Sequence, residues 1–366
     1  ISDSMTLVNK FYFLKKYCLV TLASFLLISC NYQKPYEEYQ GSVFGTYYNI
    51  KFFSQTDDSI KQSDLDSIFL IFNNSLSTYI DSSIISRVNK NEDVIVDELF
   101  IDVFSKSKVI FQKSAGLFDP TIGQLLEYYG FGPNKEINDI NQDQILLILK
   151  SVGFDKVSIV NNKVLKQNLL TKLDFNAIAK GYAVDIIAEM LDINGINDYM
   201  INIGGELRSK GKNHFKDSFW KIGIENPEKN KYGYIITKKI QLNNISIASS
   251  GNYRNYRVDP VSGKKYVHTL NPINGQSQQT NILSASVISE SCFTADAYAT
   301  AMMVGNLDYS ISLTENNDEI EAYIIYLDSD NNLSEYMSDG FKKLIHTIPL
   351  YSLDNAFNSK EVNNWL

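Results

Sequence analysis

The sequence predicts an α+β fold in which helices and antiparallel strands are segregated, and three observations carry that expectation. Apolar residues recur at helical spacing early in the chain: Ile60, Leu65, Ile68, Phe69 and Phe72 between Asp58 and Asn74, then Leu99, Phe100, Val103, Phe104, Ile110 and Phe111 between Val96 and Lys113. From Trp220 to Val287 short apolar runs follow one another between turn residues, as antiparallel strands do. There is no regular strand and helix alternation, no Gly-x-Gly-x-x-Gly after a strand and no Walker A string, which argues against a Rossmann fold and both usual phosphate cradles.

Taken in order, the chain opens with Lys10, Lys15 and Lys16 before an apolar run from Tyr17 to Ile28 that closes in Leu27-Ile-Ser-Cys30. The run is short for a bilayer span and has the shape of a secretory signal with a lipobox-like end, although an uncut membrane anchor is the competing reading. Residues 1–30 are therefore expected to be a lipoprotein signal with Cys30 as the lipidated residue, and 31–40 a polar tether. The domain is expected over 41–350, with a polar tail over 351–366. This implies an exported protein, lipid-anchored to the cell envelope on the periplasmic face of the inner membrane.

Gly41 to Phe53 alternates well enough for a strand, and Asp143 to Val152 reads as a short helix. Asn161-Asn162 between Lys156–Val160 and Lys163–Lys166 predicts a tight hairpin. Ile178 to Leu191 is a helix and Tyr199 to Ile203 a buried strand ending in Gly204-Gly205; turns are expected at Glu225-Asn-Pro227, Asp259-Pro260 and Asn271 to Gly275, and Ile320 to Leu327 is a late strand.

A formal net charge of -8, without a cluster of Lys and Arg, argues against a nucleic-acid surface. Of three cysteines, Cys18 and Cys30 fall in the signal, so Cys292 leaves the mature domain without an internal disulfide. Cys292 reads as a small buried hydrophobe in preference to a redox nucleophile.

The chemistry-bearing string is Ser291-Cys-Phe-Thr-Ala-Asp-Ala-Tyr-Ala-Thr-Ala-Met-Met-Val-Gly305, which places Asp296 and Thr300 four residues apart on one helical face among small or apolar neighbours. A carboxylate and a hydroxyl so stacked could serve a hard cation such as Mg²⁺, or merely decorate a helix start. Seven further strings accompany it: Phe44-Gly-Thr46, Leu76-Ser-Thr-Tyr79, Gly116-Leu-Phe-Asp-Pro-Thr121, Asp174-Phe-Asn-Ala-Ile-Ala-Lys-Gly-Tyr-Ala-Val-Asp185, Ile201-Asn-Ile-Gly-Gly-Glu206, Ala248-Ser-Ser-Gly-Asn-Tyr-Arg254 and Tyr266-Val-His-Thr-Leu-Asn-Pro272. Together, and in this order, they resemble the ApbE family, FAD:protein FMN transferases of bacterial envelopes.

That resemblance implies a two-lobed α+β architecture with flavin in the cleft. It implies that Asp296, Thr300 and the backbone carbonyl of Ala177 hold Mg²⁺, with Asp296 also the candidate base. FAD would be contacted by Phe44, Tyr79, Leu117, Phe118, Asp119, Asp174, Lys180, Ser250, Gly251, Tyr253, His268 and Thr269. For Gly116 to Thr121 a helix stop followed by an Asp119-Pro120 helix start is an alternative that both readings can share. The family usually has Met at Phe44 and Asp at Asn252 and Asn271, so the shape of one contact and two negative charges differ here.

The implied reaction moves the FMN half of FAD onto a Thr or Ser hydroxyl of an acceptor protein and releases AMP. The acceptor would carry a Ser/Thr-Gly-Ala-Thr/Ser segment and belong to a membrane electron-transfer complex. A Mg²⁺-dependent FAD pyrophosphatase and a non-catalytic FAD-binding lipoprotein are the alternatives.

Overall fold

The protein is described from a computed structural model that covers residues 36–54, 60–133, 140–230, 233–252, 256–258, 263, 265–277 and 280–345. β1 (Tyr36–Val43) and β2 (Thr46–Phe53) form an antiparallel hairpin, turned by Phe44 and Gly45 with φ of 50° and 74°. This corrects the single strand read from Gly41: a bulky aromatic is an uncommon left-handed turn residue, so only Gly45 signalled the reversal. β1 also starts upstream of Gly41, inside the segment assigned to the tether.

Five helices follow: α1 (Gln62–Leu76), α2 (Ile84–Asn89), α3 (Glu98–Lys113), α4 (Gly123–Tyr128) and α5 (Gln142–Leu149). α1 buries Leu65, Phe69 and Phe72, and α3 buries Phe100, Val103, Phe104 and Ile110, the faces expected from their spacing. β3 (Val157–Val160) and β4 (Lys163–Lys166) are the expected hairpin, with Asn161 and Asn162 at φ 51° and 58°. Asn tolerates this left-handed geometry better than most residues, as a two-residue turn of this kind requires.

The remaining elements are α6 (Asn176–Ile193), β5 (Asp198–Ile203), β6 (Glu206–Lys210), β7 (Lys212–Asn213), β8 (Ser218–Asn230), β9 (Gly233–Leu242), β10 (Ile245–Gly251), β11 (Tyr256–Val258), β12 (Lys265–Val267), β13 (Ile282–Ser289), α7 (Cys292–Val304), α8 (Leu307–Glu315), β14 (Glu321–Leu327), β15 (Leu333–Met337) and α9 (Asp339–Leu344). The turn expected at Glu225-Asn-Pro227 is instead an irregularity inside β8, where the register against β9 slips between Glu225 and Lys229. Pro cannot donate to the ladder, and a bulge absorbs it without reversing the chain. The Asn271 to Gly275 turn is present, closed by the Gly275 amide on the Asn271 carbonyl at 2.8 Å; Asp259-Pro260 lies outside the described residues.

The main sheet has eight strands in the order β1-β2-β5-β6-β10-β13-β14-β15, antiparallel at every pairing. Its two faces are covered differently. On one, Ile50, Ile201, Ala285 and Val287 join Val184 and Ile187 of α6 and Ala299 and Met302 of α7 in the principal core. A second cluster joins Ile247, Ile288, Tyr323 and Ile325 of the sheet to Ile224 and Ile240 of β8 and β9 and to Phe341 of α9. A third, separate cluster ties Leu125 of α4 and Tyr129, just past its end, to Ile145 and Ile148 of α5 and to Tyr266 and Leu270. The α+β expectation therefore holds, and the central strands are buried on both sides. No helix among the described residues is long and apolar enough to cross a membrane.

Candidate functional site at the crossing of two helices

α7 is buried almost from end to end, and Asp296 is the charged residue among its buried positions, 3% exposed. Such a helix must be approached closely, and Gly181 of α6 permits it. A Cβ at Gly181 would stand 2.5 Å from the Cys292 carbonyl oxygen and 2.9 Å from Asp296 Cβ. The Gly181 amide, whose regular helical acceptor is the Ala177 carbonyl, donates to Asp296 Oδ2 at 3.1 Å. One N–H thus lies between the Ala177 carbonyl and the Asp296 carboxylate, with half-buried Thr300 one turn further along α7.

Lys180 sits beside this pair, its Nζ 2.8 Å from Glu206 Oε1 and 3.9 Å from Asp296 Oδ2. Glu206 opens β6 directly after Gly204 and Gly205, at φ 63° and 106°. A side chain on Gly204 would meet Thr46 Cγ2 at 2.7 Å, so the turn between β5 and β6 packs closely on the start of β2. Burial pushes the Asp296 carboxyl up to about 7; Lys180 pulls it down and the Glu206 charge adds to the rise. Burial would lower the Lys180 ammonium, but the charges of Asp296 and Glu206 outweigh it and hold the ammonium above its ordinary value.

Glu206 Oε2 is buried without a hydrogen-bond partner, so two carboxylates face one ammonium with an acceptor oxygen to spare. Uncompensated negative charge among oxygen donors suits a hard divalent cation. The residues implied for Mg²⁺ fit that requirement, as one carboxylate, one hydroxyl and one backbone carbonyl. Among the described residues no three His, Cys, Asp or Glu side chains form a metal cluster.

At the N-terminus of α6, Asp174 accepts from the Asn176 amide at 2.8 Å and from Asn176 Nδ2 at 3.0 Å. Its own amide donates to the Pro120 carbonyl at 2.8 Å, which joins the Gly116 to Thr121 segment to this one. Burial pushes the Asp174 carboxyl up to about 6. Asn176 reaches Thr78 Oγ1 at 3.4 Å, and beside it stands the Tyr79 ring, 58% exposed, its hydroxyl 3.5 Å from the Phe131 carbonyl. Burial and the Asp174 charge raise the Tyr79 phenol, while Arg257 opposes them. The Arg257 guanidinium lies 5.9 Å from the Phe131 ring, which meets His268 edge-on at 6.4 Å. Tyr79, Asp174 and His268 are thus brought together, with Phe131 and Arg257 added.

The other expected contacts are placed less uniformly. Gly116, at φ 80°, ends α3 as expected, its amide bonded to the Phe111 carbonyl at 2.9 Å. Leu117 is half-buried and Phe118 belongs to the principal core. Asp119 is buried, and its Oδ1 accepts from the Thr121 amide at 2.8 Å and the Thr121 hydroxyl at 2.6 Å. It does not open a helix: α4 begins at Gly123 with Ile122 before it, which corrects the helix-start reading. Asp119 closes a local turn of its own instead. Phe44 packs on Phe69 and Phe72 at 5.8 and 5.9 Å, beside an open concavity of about 440 Å³ that includes Gly45, Asp66 and Asn73 but not Asp174, Lys180 or Asp296.

Ser250 and Gly251 end β10, half-buried and paired with Ala285 and Ser284. Next to them Asn252 is buried, accepts from the Thr269 hydroxyl at 2.6 Å, and leaves Nδ2 without a partner. Asn271 accepts from the Ile273 and Asn274 amides at 2.8 and 3.2 Å, work that an amide oxygen does as well as a carboxylate. Tyr253 and Cys30 lie outside the described residues.

Sequence reasoning missed Glu206 as a site residue, although the Gly-Gly turn before it was a signal. It also missed Asp185, which accepts from the amides of Cys292 and Phe293 at 2.9 Å each and from the Ser291 hydroxyl at 2.8 Å, capping α7 from α6. Arg208 Nη1 donates to the same carboxylate at 3.0 Å. Cys292 is fully buried, its thiol 3.7 Å from the Leu207 carbonyl; burial pushes it well above the ordinary thiol range, as befits a packing residue.

Fold and site together define an α+β protein with a buried carboxylate and ammonium cluster at a helix crossing and an aromatic wall at the start of one of those helices. The ApbE family model matches residues 44–324. An FAD:protein FMN transferase of Vibrio cholerae is 32% identical over 337 residues, spanning 89% of this chain and 98% of the relative. One from Haemophilus influenzae is 31% identical over 336 residues, spanning 88% and 95%. Among solved structures, the flavin transferase ApbE from Vibrio cholerae superposes with a TM-score of 0.75 at 29% identity, covering 85% of this chain and 100% of that one. The apo flavinyl transferase ApbE of Pseudomonas stutzeri gives 0.76 at 27% identity, covering 87% and 99%. The chain belongs to the ApbE family.

Proposed function

We propose that this protein is an FAD:protein FMN transferase that depends on Mg²⁺, joins FMN to a Thr or Ser hydroxyl of a target protein through a phosphodiester and releases AMP. The observation that carries the reading is the buried Asp296 carboxylate, held against the Gly181 amide beside the Ala177 carbonyl, in a chain whose relatives bear that name.

The bond to be broken is a phosphoanhydride, and the protein's task is positioning and charge neutralisation. Lys180, kept protonated by Asp296 and Glu206, offers a fixed cation to the pyrophosphate of FAD. Tyr79, Asp174 and His268 are read as the flavin side, and Phe44, Leu117, Phe118, Asp119, Ser250, Gly251 and Thr269 as the further FAD contacts that the family resemblance implies. The exposed Tyr79 ring is free to stack on isoalloxazine. Asp296, Thr300 and the Ala177 carbonyl would hold Mg²⁺, which supplies further neutralisation as AMP leaves. Asp296 is assigned as the acceptor of the hydroxyl proton, the role the family resemblance implies.

The acceptor is read as a Ser/Thr-Gly-Ala-Thr/Ser segment of a membrane electron-transfer subunit. The lipobox-like Leu27-Ile-Ser-Cys30 supports anchoring through Cys30 at the periplasmic face of the inner membrane. The test is a mass spectrum of an acceptor peptide after incubation with the protein, FAD and Mg²⁺. A Mg²⁺-dependent gain of one FMN phosphodiester, lost in Asp296→Ala, is the expected result. Unmodified peptide with free FMN and AMP would move the reading to a pyrophosphatase, and intact FAD to a binding protein.

A further inference from the structure

An aromatic cluster with one strongly exposed ring, Phe215, surrounds the half-buried Tyr36. The Tyr36 ring meets Phe215 edge-on at 4.8 Å and lies 5.3 Å from Phe53. Phe53 in turn contacts Phe215 at 5.1 Å, His214 at 4.8 Å and Trp220 at 6.2 Å. Phe53 and Trp220 are buried and form the base, whereas Phe215, in the turn between β7 and β8, is 61% exposed.

That turn is well held. The Phe215 amide donates to Asn213 Oδ1 at 3.0 Å, the Lys216 amide donates to the Asn213 carbonyl at 3.1 Å, and His214 Nε2 is 2.8 Å from Asp198 Oδ2. Below it the Trp220 indole N–H donates to the Lys210 carbonyl at 3.1 Å. The fold therefore presents the Phe215 ring outward on a fixed support. Charges around it are mixed, with Lys212 3.6 Å from Asp217 and the Tyr36 hydroxyl bonded to Glu38 at 2.7 Å. Neutral aromatic surface of this kind suits the interfacial zone of a bilayer, where amphipathic rings accumulate, better than a polybasic contact with anionic headgroups.

The chain supplies the reach. Six positions separate Cys30 from Tyr36, and at no more than about 3.5 Å per residue a lipid on Cys30 lies within about 20 Å of the Tyr36 backbone. A tether that short leaves the orientation of the domain open but holds this patch within reach of the membrane. We propose that Phe215, with Tyr36 beside it, inserts into the interfacial zone of the phospholipid bilayer that carries the Cys30 lipid and so fixes which face of the domain meets the membrane. The proposal rests on the reading of Cys30 as the lipidated residue.

The test uses the full-length lipidated protein carrying Phe215→Trp, reconstituted into phosphatidylethanolamine and phosphatidylglycerol vesicles with brominated acyl chains. The fluorescence of the parent protein is subtracted. Leu169→Trp, at a site 67% exposed between β4 and α6, is the comparison. Expected is a blue-shifted Phe215→Trp signal quenched about twofold by the brominated lipid, as for a ring at the interface, with Leu169→Trp unquenched. The intact mass reports the lipid on Cys30. Lipid present with Phe215→Trp no more quenched than Leu169→Trp overturns the insertion alone, whereas absence of lipid overturns the anchoring and the proposal with it.

Discussion

Replacing Gly181 by Ala isolates the helix crossing that seats Asp296. The new Cβ would fall 2.5 Å from the Cys292 carbonyl oxygen and 2.9 Å from Asp296 Cβ, where ordinary contact begins at 3.4 Å. Backbone on one side and a Cβ on the other cannot swing away, so α6 and α7 must part by about 1 Å. Overpacking of that kind costs about 3 kcal/mol at the upper end of its range. Ala in a helix interior returns about 1 kcal/mol relative to Gly, which leaves a loss of about 2 kcal/mol. For a domain this long the melting temperature should fall by about 4 °C. Because the displaced groups include Asp296 and the Gly181 amide bonded to it, FMN transfer should fall about 100-fold, as for a 1 Å misplacement of a reacting group. Calorimetry and a single-turnover transfer assay measure the two effects. An Ala variant that melts at or above the parent temperature and transfers FMN at the parent rate would refute the contact argument, because propensity alone would then have decided the outcome.

Three further outcomes are expected. Asp185→Asn keeps the size of the α7 cap but turns one acceptor of the Cys292 and Phe293 amides into a donor, and should cost about 2–3 kcal/mol in denaturant unfolding; a midpoint unchanged from the parent would contradict the cap. For Asp296 the folded-state value, about 7, lies above the ordinary 3.8, so the folded protein binds the extra proton between the two. In metal-free protein this group should therefore make stability fall as pH rises through that window. Melting curves of Asp296→Asn should be flatter there, and Mg²⁺ should offset the fall in the parent protein only; parallel pH profiles would contradict the burial. Cys292→Ser should lower stability by about 1–2 kcal/mol through a buried hydroxyl yet retain FMN transfer to within about twofold, since its thiol is not a reactive one. A large loss of transfer at unchanged stability would make the thiol a participant.

What could be read in the sequence was what local chemistry decides. Asp296 and Thr300 stand on one face of a helix because their spacing requires it, and Asn161-Asn162 turns a hairpin because its residues tolerate the left-handed region. The Phe44 turn was hidden because Phe is an unfavourable residue for φ 50°, so the surrounding sheet imposes that geometry on it. The Pro227 bulge depends on the register of β9, and Asp119 reads as a helix cap until the position of α4 is known. Asp185 was silent for another reason: the amides it caps are over a hundred residues away in sequence. The grouping of Phe131 and Tyr79 with Arg257 of the β11–β12 hairpin and His268 directly after it likewise joins three separate stretches of chain, and no spacing within one stretch can announce it.

Two of the contacts that the Asn176–Ile193 helix makes with its neighbour lie one turn apart, Gly181 at the crossing and Asp185 at the neighbour's first amides. These two points act as a ruler. Adding or deleting a single residue between them would rotate one contact by roughly 100° relative to the other, so no helical register could satisfy both. The four-residue interval inside this helix is the place where the chain cannot change length and still hold Asp296.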